Sequence, residues 1–320
     1  MQRLISRVRR RGGEERGAAA VVLALLLIPI LGFAAIAVDV GSLYAERARL
    51  QVAADAAAIA VAQDCSRGNC GDMLATAQTL ITLNDGEGTA AHPELSNDPL
   101  SVTVTGSTPK QHWFAPVLGL DSTAVGATAT VGWGAPSQGP AVLPLAFSWC
   151  SFANQTGGGI PSNETLQLIK LTKTDGAKEC HPQSGNDIPG GFGFVQTDAN
   201  QRCQATSHIG GTLTSDPGQS PSNGCTAADF ASYVGRTVLI PIYDDAGGTG
   251  TNGWYRIYGY AAFTLKGYAF TGQFTSNPAP CNGNVRCVSG YFTRFVELSD
   301  AWTYSPTAPQ LGASVLRLIR

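Results

Sequence analysis

The chain has 320 residues, 43% of them hydrophobic and only 14% charged, with a formal net charge of −2. From Cys65 onward 13 basic residues face 17 acidic ones, which excludes a broad basic surface for nucleic acid. The length suffices for an anchor plus one or two folded units, and the 38 glycines and 18 prolines, concentrated after residue 85, favour turn-rich β-structure there.

Residues 1–17 carry Arg3, Arg7, Arg9, Arg10, Arg11 and Arg16 against Glu14 and Glu15, and are expected to form a short, mobile cytoplasmic tail. Ala18–Val38 follows, 21 residues without a charge. At ~1.5 Å per residue such a helix is about 31 Å long, against a bilayer hydrocarbon core of ~30 Å, so the stretch predicts a single membrane span. Excess arginine on the amino-terminal side keeps that side in the cytoplasm and puts the remainder of the chain outside. The alternative is a cleaved signal peptide, for which Ala35-Ile36-Ala37 offers a small-x-small site, although signal-peptide apolar regions run only ~7–15 residues. Beyond Asp39, apolar residues Val40, Leu43, Tyr44, Leu50, Ala54, Ala57, Ala58 and Val61 recur mostly at three- and four-residue steps, so one helix is expected from Ala18 to Asp64. Its outer half is alanine-rich with a thin apolar face, which suits packing against another helix or a small domain.

Three features of this region coincide: Arg16-Gly17 before the apolar run, Val-Asp-Val-Gly at its exit with Asp39 and Gly41, and Gln-x-Ala-Ala-Asp-Ala-Ala-Ala from Gln51 through Asp55 to Ala58. Over residues 13–64 the sequence resembles the amino-terminal segment of the TadE/TadG-like proteins of the Flp (tight adherence) pilus apparatus. The stretches 112–134 and 290–293 are similar to outer parts of actinobacterial members. The resemblance implies a cell-membrane protein with pilin or other pilus-assembly proteins as partners. TadE-like pseudopilins resemble type IV prepilins, which a peptidase cuts after a glycine and which carry a glutamate five residues into the mature helix. A cut after Gly17 would place Val22 there, so the TadG-like members that remain membrane anchors are the closer analogy.

Cys65–Cys70 should turn the chain, and DMLATAQTLITLN from Asp72 should form a second helix burying Met73, Leu74, Ala77, Leu80, Ile81 and Leu83. Asp85–Pro99 reads as a loop. LSVTVTGST from Leu100 alternates as a half-buried strand, further strands are expected within 111–134, and GAPSQGP (134–140) reads as a linker. From Ala141 the expected strands are Val142–Trp149, Thr165–Leu171, Thr237–Tyr243, Trp254–Lys266, Tyr268–Phe274, Arg286–Leu298 and Ala313–Ile319, with one short helix at Ala227–Val234. Asp175–Asp229 is expected to be irregular and disulfide-pinned. The fold class is therefore α+β: a cytoplasmic tail (1–17), a transmembrane helix continuing into a pilin-like stalk (18–64), a small α+β region resembling pilin architecture (65–135), and a disulfide-stapled, sandwich-like β-rich extracytoplasmic domain (136–320).

No stretch carries recognisable catalytic chemistry. His92, His112, His181 and His208 lack metal-ligand spacing, and Gly218-Gln-Ser-Pro-Ser222 departs from a nucleophile elbow. Asp244, Asp245 and Asn252 lie in a glycine-rich loop that either binds Ca²⁺ weakly or simply closes a hairpin. The aromatic residues between Trp254 and Phe270 could bind a glycan or partner, with core packing as the plainer account. No catalytic residue, cofactor or metal is assigned. Eight cysteines, all beyond the span, argue for disulfides. Spacing favours Cys65 with Cys70 and Cys281 with Cys287, then Cys150 with Cys180 and Cys203 with Cys225, with crossed pairings of the last four still open. The functional expectation is a membrane-anchored structural or accessory protein of Flp-type pilus or related secretion machinery, its oligomeric state left open. The alternatives are a cell-surface adhesin or ligand-binding protein and, behind it, an anchored envelope hydrolase.

Overall fold

The computed structural model describes residues 2–172, 179–182, 185, 187–199, 203–221 and 224–319, with side chains for all of these except 2–18, 179 and 180. The chain divides into two compact units, one comprising Met1–Ala58, Met73–Pro93 and Thr103–Ala129, the other Ile59–Asp72, Glu94–Val102 and Thr130–Arg320.

A single helix, α1, runs over Gln2–Ser66 and contains Pro29. It starts well before the expected Ala18, so the residues expected to be a mobile tail are helical. Its apolar part contains no buried residue. This is the one described helix long and apolar enough to cross a membrane, and it fits a single-pass membrane protein. Beyond Asp39 the helix acquires a protein-facing side in the first unit: Leu50, Ala53, Ala54, Ala57 and Ala58 are fully buried. The second helix, α2, spans Met73–Asn84. It buries only Ala77 and Ile81 of the expected face, and Leu74 and Leu83 stay exposed because a single row of contacts is all that the small unit supplies. Leu50 and Ile81 converge on Gly106, where a Cβ would lie 3.2 Å and 2.9 Å from their methyl groups. Gly106 sits in the strand Leu100–Gln111, which pairs antiparallel with Thr89–Ala90 and neighbours the strand Ser122–Ala141. Alternate residues from Val104 to Thr108 are buried, as the pleat of a one-sided sheet requires.

In the second unit, seven strands follow the order Thr212–Asp216, Phe192–Val195, Leu145–Ser148, Thr237–Gly247, Trp254–Ala269, Cys287–Thr293, Gln167–Lys170. Thr212–Asp216 also pairs with Trp254–Ala269, Leu213 lying opposite Tyr255, so five strands close into a ring. Among these seven strands the pairings are antiparallel except that of Leu145–Ser148 with Thr237–Gly247. One core cluster holds Phe147, Phe192, Phe194, Phe263, Phe270 and Phe292. Most of their rings meet edge to face, Phe147 and Phe263 at 5.0 Å and 83°, the geometry that aromatic quadrupoles favour. A second cluster joins Leu239, Tyr243, Tyr260, Trp302 and Val315. Around it Ser122–Ala141, from Thr130 onward, pairs with Ala313–Ile319, Thr303–Ser305 and Ala205–His208.

Four expectations are corrected. The 134–140 linker is a strand. Its glycines are there because aromatic rings lie on its backbone: a Cβ on Gly139 would sit 2.3 Å from the Trp302 ring and one on Gly134 2.8 Å from Tyr304. Trp149 leaves the expected strand to begin a helix, Trp149–Thr156, which Ser148 caps by accepting from the Cys150 N–H and Gly157 ends at φ 68°. Trp254–Ala269 runs without a break, absorbing an irregularity between Leu265 and Gly267. Finally, the 175–229 stretch contains ordered strands at Phe192–Val195, Ala205–His208 and Thr212–Asp216.

Disulfides join Cys65 to Cys70, Cys203 to Cys225 and Cys281 to Cys287. Cys150 is disulfide-bonded as well. The expected Cys150–Cys180 pair falls on a side chain outside the described residues.

Candidate interaction site on the amino-terminal helix

Three clamps fasten α1 into the first unit. The first is Asp39, the first charged residue after the apolar run. Its Oδ1 accepts the Trp113 N–H at 2.8 Å and its Oδ2 accepts those of Phe114 at 3.1 Å and Ala115 at 2.8 Å. These are the free N–H groups at the start of a 3₁₀ turn, Ala115–Leu118, whose own cap residue Phe114 offers no side-chain acceptor. Burial pushes the Asp39 carboxyl up, and the three backbone donors outweigh it, holding the group below the usual carboxylate range.

The second clamp is ionic. Lys110 donates to Glu46 Oε2 at 2.6 Å, and Arg49 lies 3.8 Å from Oε1. The Lys110 ammonium holds the Glu46 carboxyl low. Asp85, buried like Glu46, is pushed the other way by its own desolvation and by the Glu46 charge, and its Oδ2 has no hydrogen-bond partner. Two buried carboxyls thus lie side by side, only Glu46 is paired to the lysine, and Asp85 keeps its proton to higher pH.

In the third clamp Gln51 donates through Nε2 to Asp55 Oδ1 at 2.8 Å and to the Thr128 carbonyl at 3.1 Å, tying the helix to the strand Ser122–Ala141.

The motif residues therefore divide. Asp39, Gln51 and Asp55 do internal work. Gly41 has open space around it and no internal contact that demands glycine. The environment of Gly17 lies outside the described side chains. Beside Gly41, a shallow groove of about 370 Å³ is lined by Val40, Leu43, Tyr44, Arg47 and residues 123–126. Sequence reasoning missed Lys110, Asp85 and the 113–115 backbone. Only the unusual isolation of a charged Asp at the foot of an apolar run could have hinted at a partner for Asp39.

Residues 17–64 match the model of a family described as putative Flp pilus-assembly TadE/G-like. Over these residues the chain is similar to the TadE/G-like family. No curated protein and no solved structure matches the chain. The match spans the apolar part of the helix and the three clamp residues that the helix carries, Asp39, Glu46 and Gln51.

The remaining sequence candidates are scattered. Asp244 and Asp245 both face Arg256, at 3.4 Å and 3.5 Å, so a guanidinium holds the place where Ca²⁺ was considered. His181 pairs with Asp187, His112 meets Thr123 Oγ1 at 2.8 Å, and His92 meets the Pro93 carbonyl. Among the described residues no three His, Cys, Asp or Glu side chains group as metal ligands. A cavity of about 730 Å³ beside the Cys65–Cys70 turn is lined by Ser66, Arg67, Trp133, Arg294 and Gln310, among others, without a carboxylate or imidazole to serve as a base.

Proposed function

We propose that the protein is a membrane-anchored structural or accessory component of a Flp-type pilus or related secretion machinery, acting by protein–protein contact outside the membrane and not as an enzyme. The observation that carries this reading is the coincidence, on one continuous helix, of an apolar stretch with no buried residue and the TadE/G-like match. The amino terminus, with its arginines, stays in the cytoplasm, and the second unit, which bears the disulfides, lies on the oxidising side. Asp39, Glu46 and Gln51 fix the helix to its outer unit, so that a partner gripping the helix moves the outer unit with it. Partners are the pilin or other assembly proteins, and Tyr44 with Val40, exposed beside Gly41, offers them a side of the helix where a neighbour can approach closely.

The test places a photo-crosslinking residue at Tyr44 of the full chain in its native cells, with pili counted by electron microscopy in a deletion strain. Crosslinks to a pilin or Tad assembly protein and loss of pili are expected. Normal pili in the deletion strain, with no such crosslink, would overturn the reading.

A further inference from the structure

The sequence between Lys110 and Asp121, QHWFAPVLGL, contains no carboxylate, lysine or arginine. In the fold it is an ordered loop. The His112 N–H donates to the Asp121 carbonyl at 3.0 Å and closes its base. The Ala115–Leu118 turn shapes its tip, and Gly119, at φ 82°, returns the chain. The loop turns its apolar side chains outward: Trp113 is 76% exposed, Val117 90%, Leu118 80% and Leu120 61%. Hydrogen-bonded in this form, the loop leaves these groups to water unless something covers them.

Asp39 decides what that is. The carboxylate that holds the Trp113–Ala115 backbone is the residue directly after the apolar stretch of α1, where Ile36 and Val38 are themselves exposed. An apolar helix of 21 residues is about as long as the hydrocarbon core is thick, which leaves no slack to carry Asp39 far from the membrane boundary. The loop is therefore pinned at the level where the span ends, and its exposed apolar surface continues that of the span. Tryptophan at that level is the side chain that membrane interfaces favour. We infer that the 113–120 loop is a second membrane contact, dipping Trp113, Val117, Leu118 and Leu120 into the interfacial region of the leaflet where the span exits, and that Asp39 is its positioning residue. The pair of contacts restrains the tilt and rotation of the outer unit, which a lone helix leaves free. This inference rests on the single-span reading of α1.

The full chain is reconstituted in phosphatidylcholine–phosphatidylglycerol vesicles with and without brominated acyl chains, which quench nearby indoles. Trp113 is one tryptophan of five, so bromolipid should remove up to about one-fifth of the emission. That loss should vanish in W113F and fall sharply in a V117S/L118S double variant, while all three chains resist alkaline carbonate extraction. Carbonate resistance without any Trp113-dependent quenching overturns the loop contact and leaves the span standing. Extraction of the wild-type chain by carbonate overturns the span and the loop together. Emission from Trp113 that is blue-shifted equally in both lipids, with crosslinks between chains through the loop, assigns the patch to a second copy and overturns the membrane assignment.

Discussion

Asp85→Asn should stabilise the protein at neutral pH, against the usual direction for a substitution at a buried polar site. Asp85 is only 4% exposed, has one oxygen without a partner, and lies against the Glu46 carboxylate that Lys110 already occupies. An amide of the same shape removes the second negative charge and can donate to Glu46. A hydrogen bond to a charged group is worth ~1.5–3 kcal/mol. Lost attraction to the half-exposed Arg49 offsets ~0–1 kcal/mol of it, leaving a gain on the order of 1 kcal/mol, or roughly 4 °C in the melting of a unit of this size. Because the Asp85 pKa is raised on folding, the wild-type chain is favoured below the ordinary carboxylate value and loses stability as the pH rises through the raised pKa. The advantage of the variant should accordingly be absent below the ordinary carboxylate value and should grow as the pH rises toward neutral. Thermal unfolding of the full chain in detergent, scanned across that range, measures it. A variant no more stable than wild type at neutral pH, or one whose advantage persists in acid, would refute the two-carboxyl account of this site.

Asp39→Ala should release the 113–115 amides: hydrogen exchange there should accelerate while exchange in the Thr237–Gly247 strand stays unchanged. In the wild-type chain, because the Asp39 pKa is lowered, that protection should be present above the ordinary carboxylate value and disappear only as the pH falls through the lowered one. Gly139→Val places a side chain where the Trp302 ring already lies and should cost ~1–3 kcal/mol in denaturant unfolding; a neutral effect would mean that the ring does not pack on this strand. Non-reducing peptide mapping should recover Cys203–Cys225 and Cys281–Cys287, and should link Cys150 to Cys180. A peptide joining Cys150 to any other cysteine would contradict the pairing inferred from loop length.

Elements whose signal is local were legible in the sequence. The apolar run of α1 needs only length and absence of charge, and Ala313–Ile319 and the alternation after Leu100 announce their strands directly. What escaped depends on distant residues. Gly134 and Gly139 look like linker composition until Tyr304 and Trp302 are known to cover them, more than 160 residues further on. Trp149 continues a strand by propensity, and only the Ser148 cap turns it into a helix. The clamps show the same division. Asp39, Gln51 and Asp55 stood out as a pattern, yet the partners that explain Asp39 lie 74 to 76 positions away, in a loop whose backbone carries no residue-type signal. Asp85 and Lys110 gave none at all, since either would pass for an ordinary surface charge.

The central claim is that α1 is a retained membrane anchor whose outer units lie outside the cytoplasm. Paired reporter fusions after residue 64, one active only outside the cytoplasm and one only within it, test this most directly. The account predicts activity from the external reporter alone, in a product that still begins upstream of Val38. Activity from the cytoplasmic reporter would contradict the topology, and a mature chain beginning at Val38 would contradict the anchor.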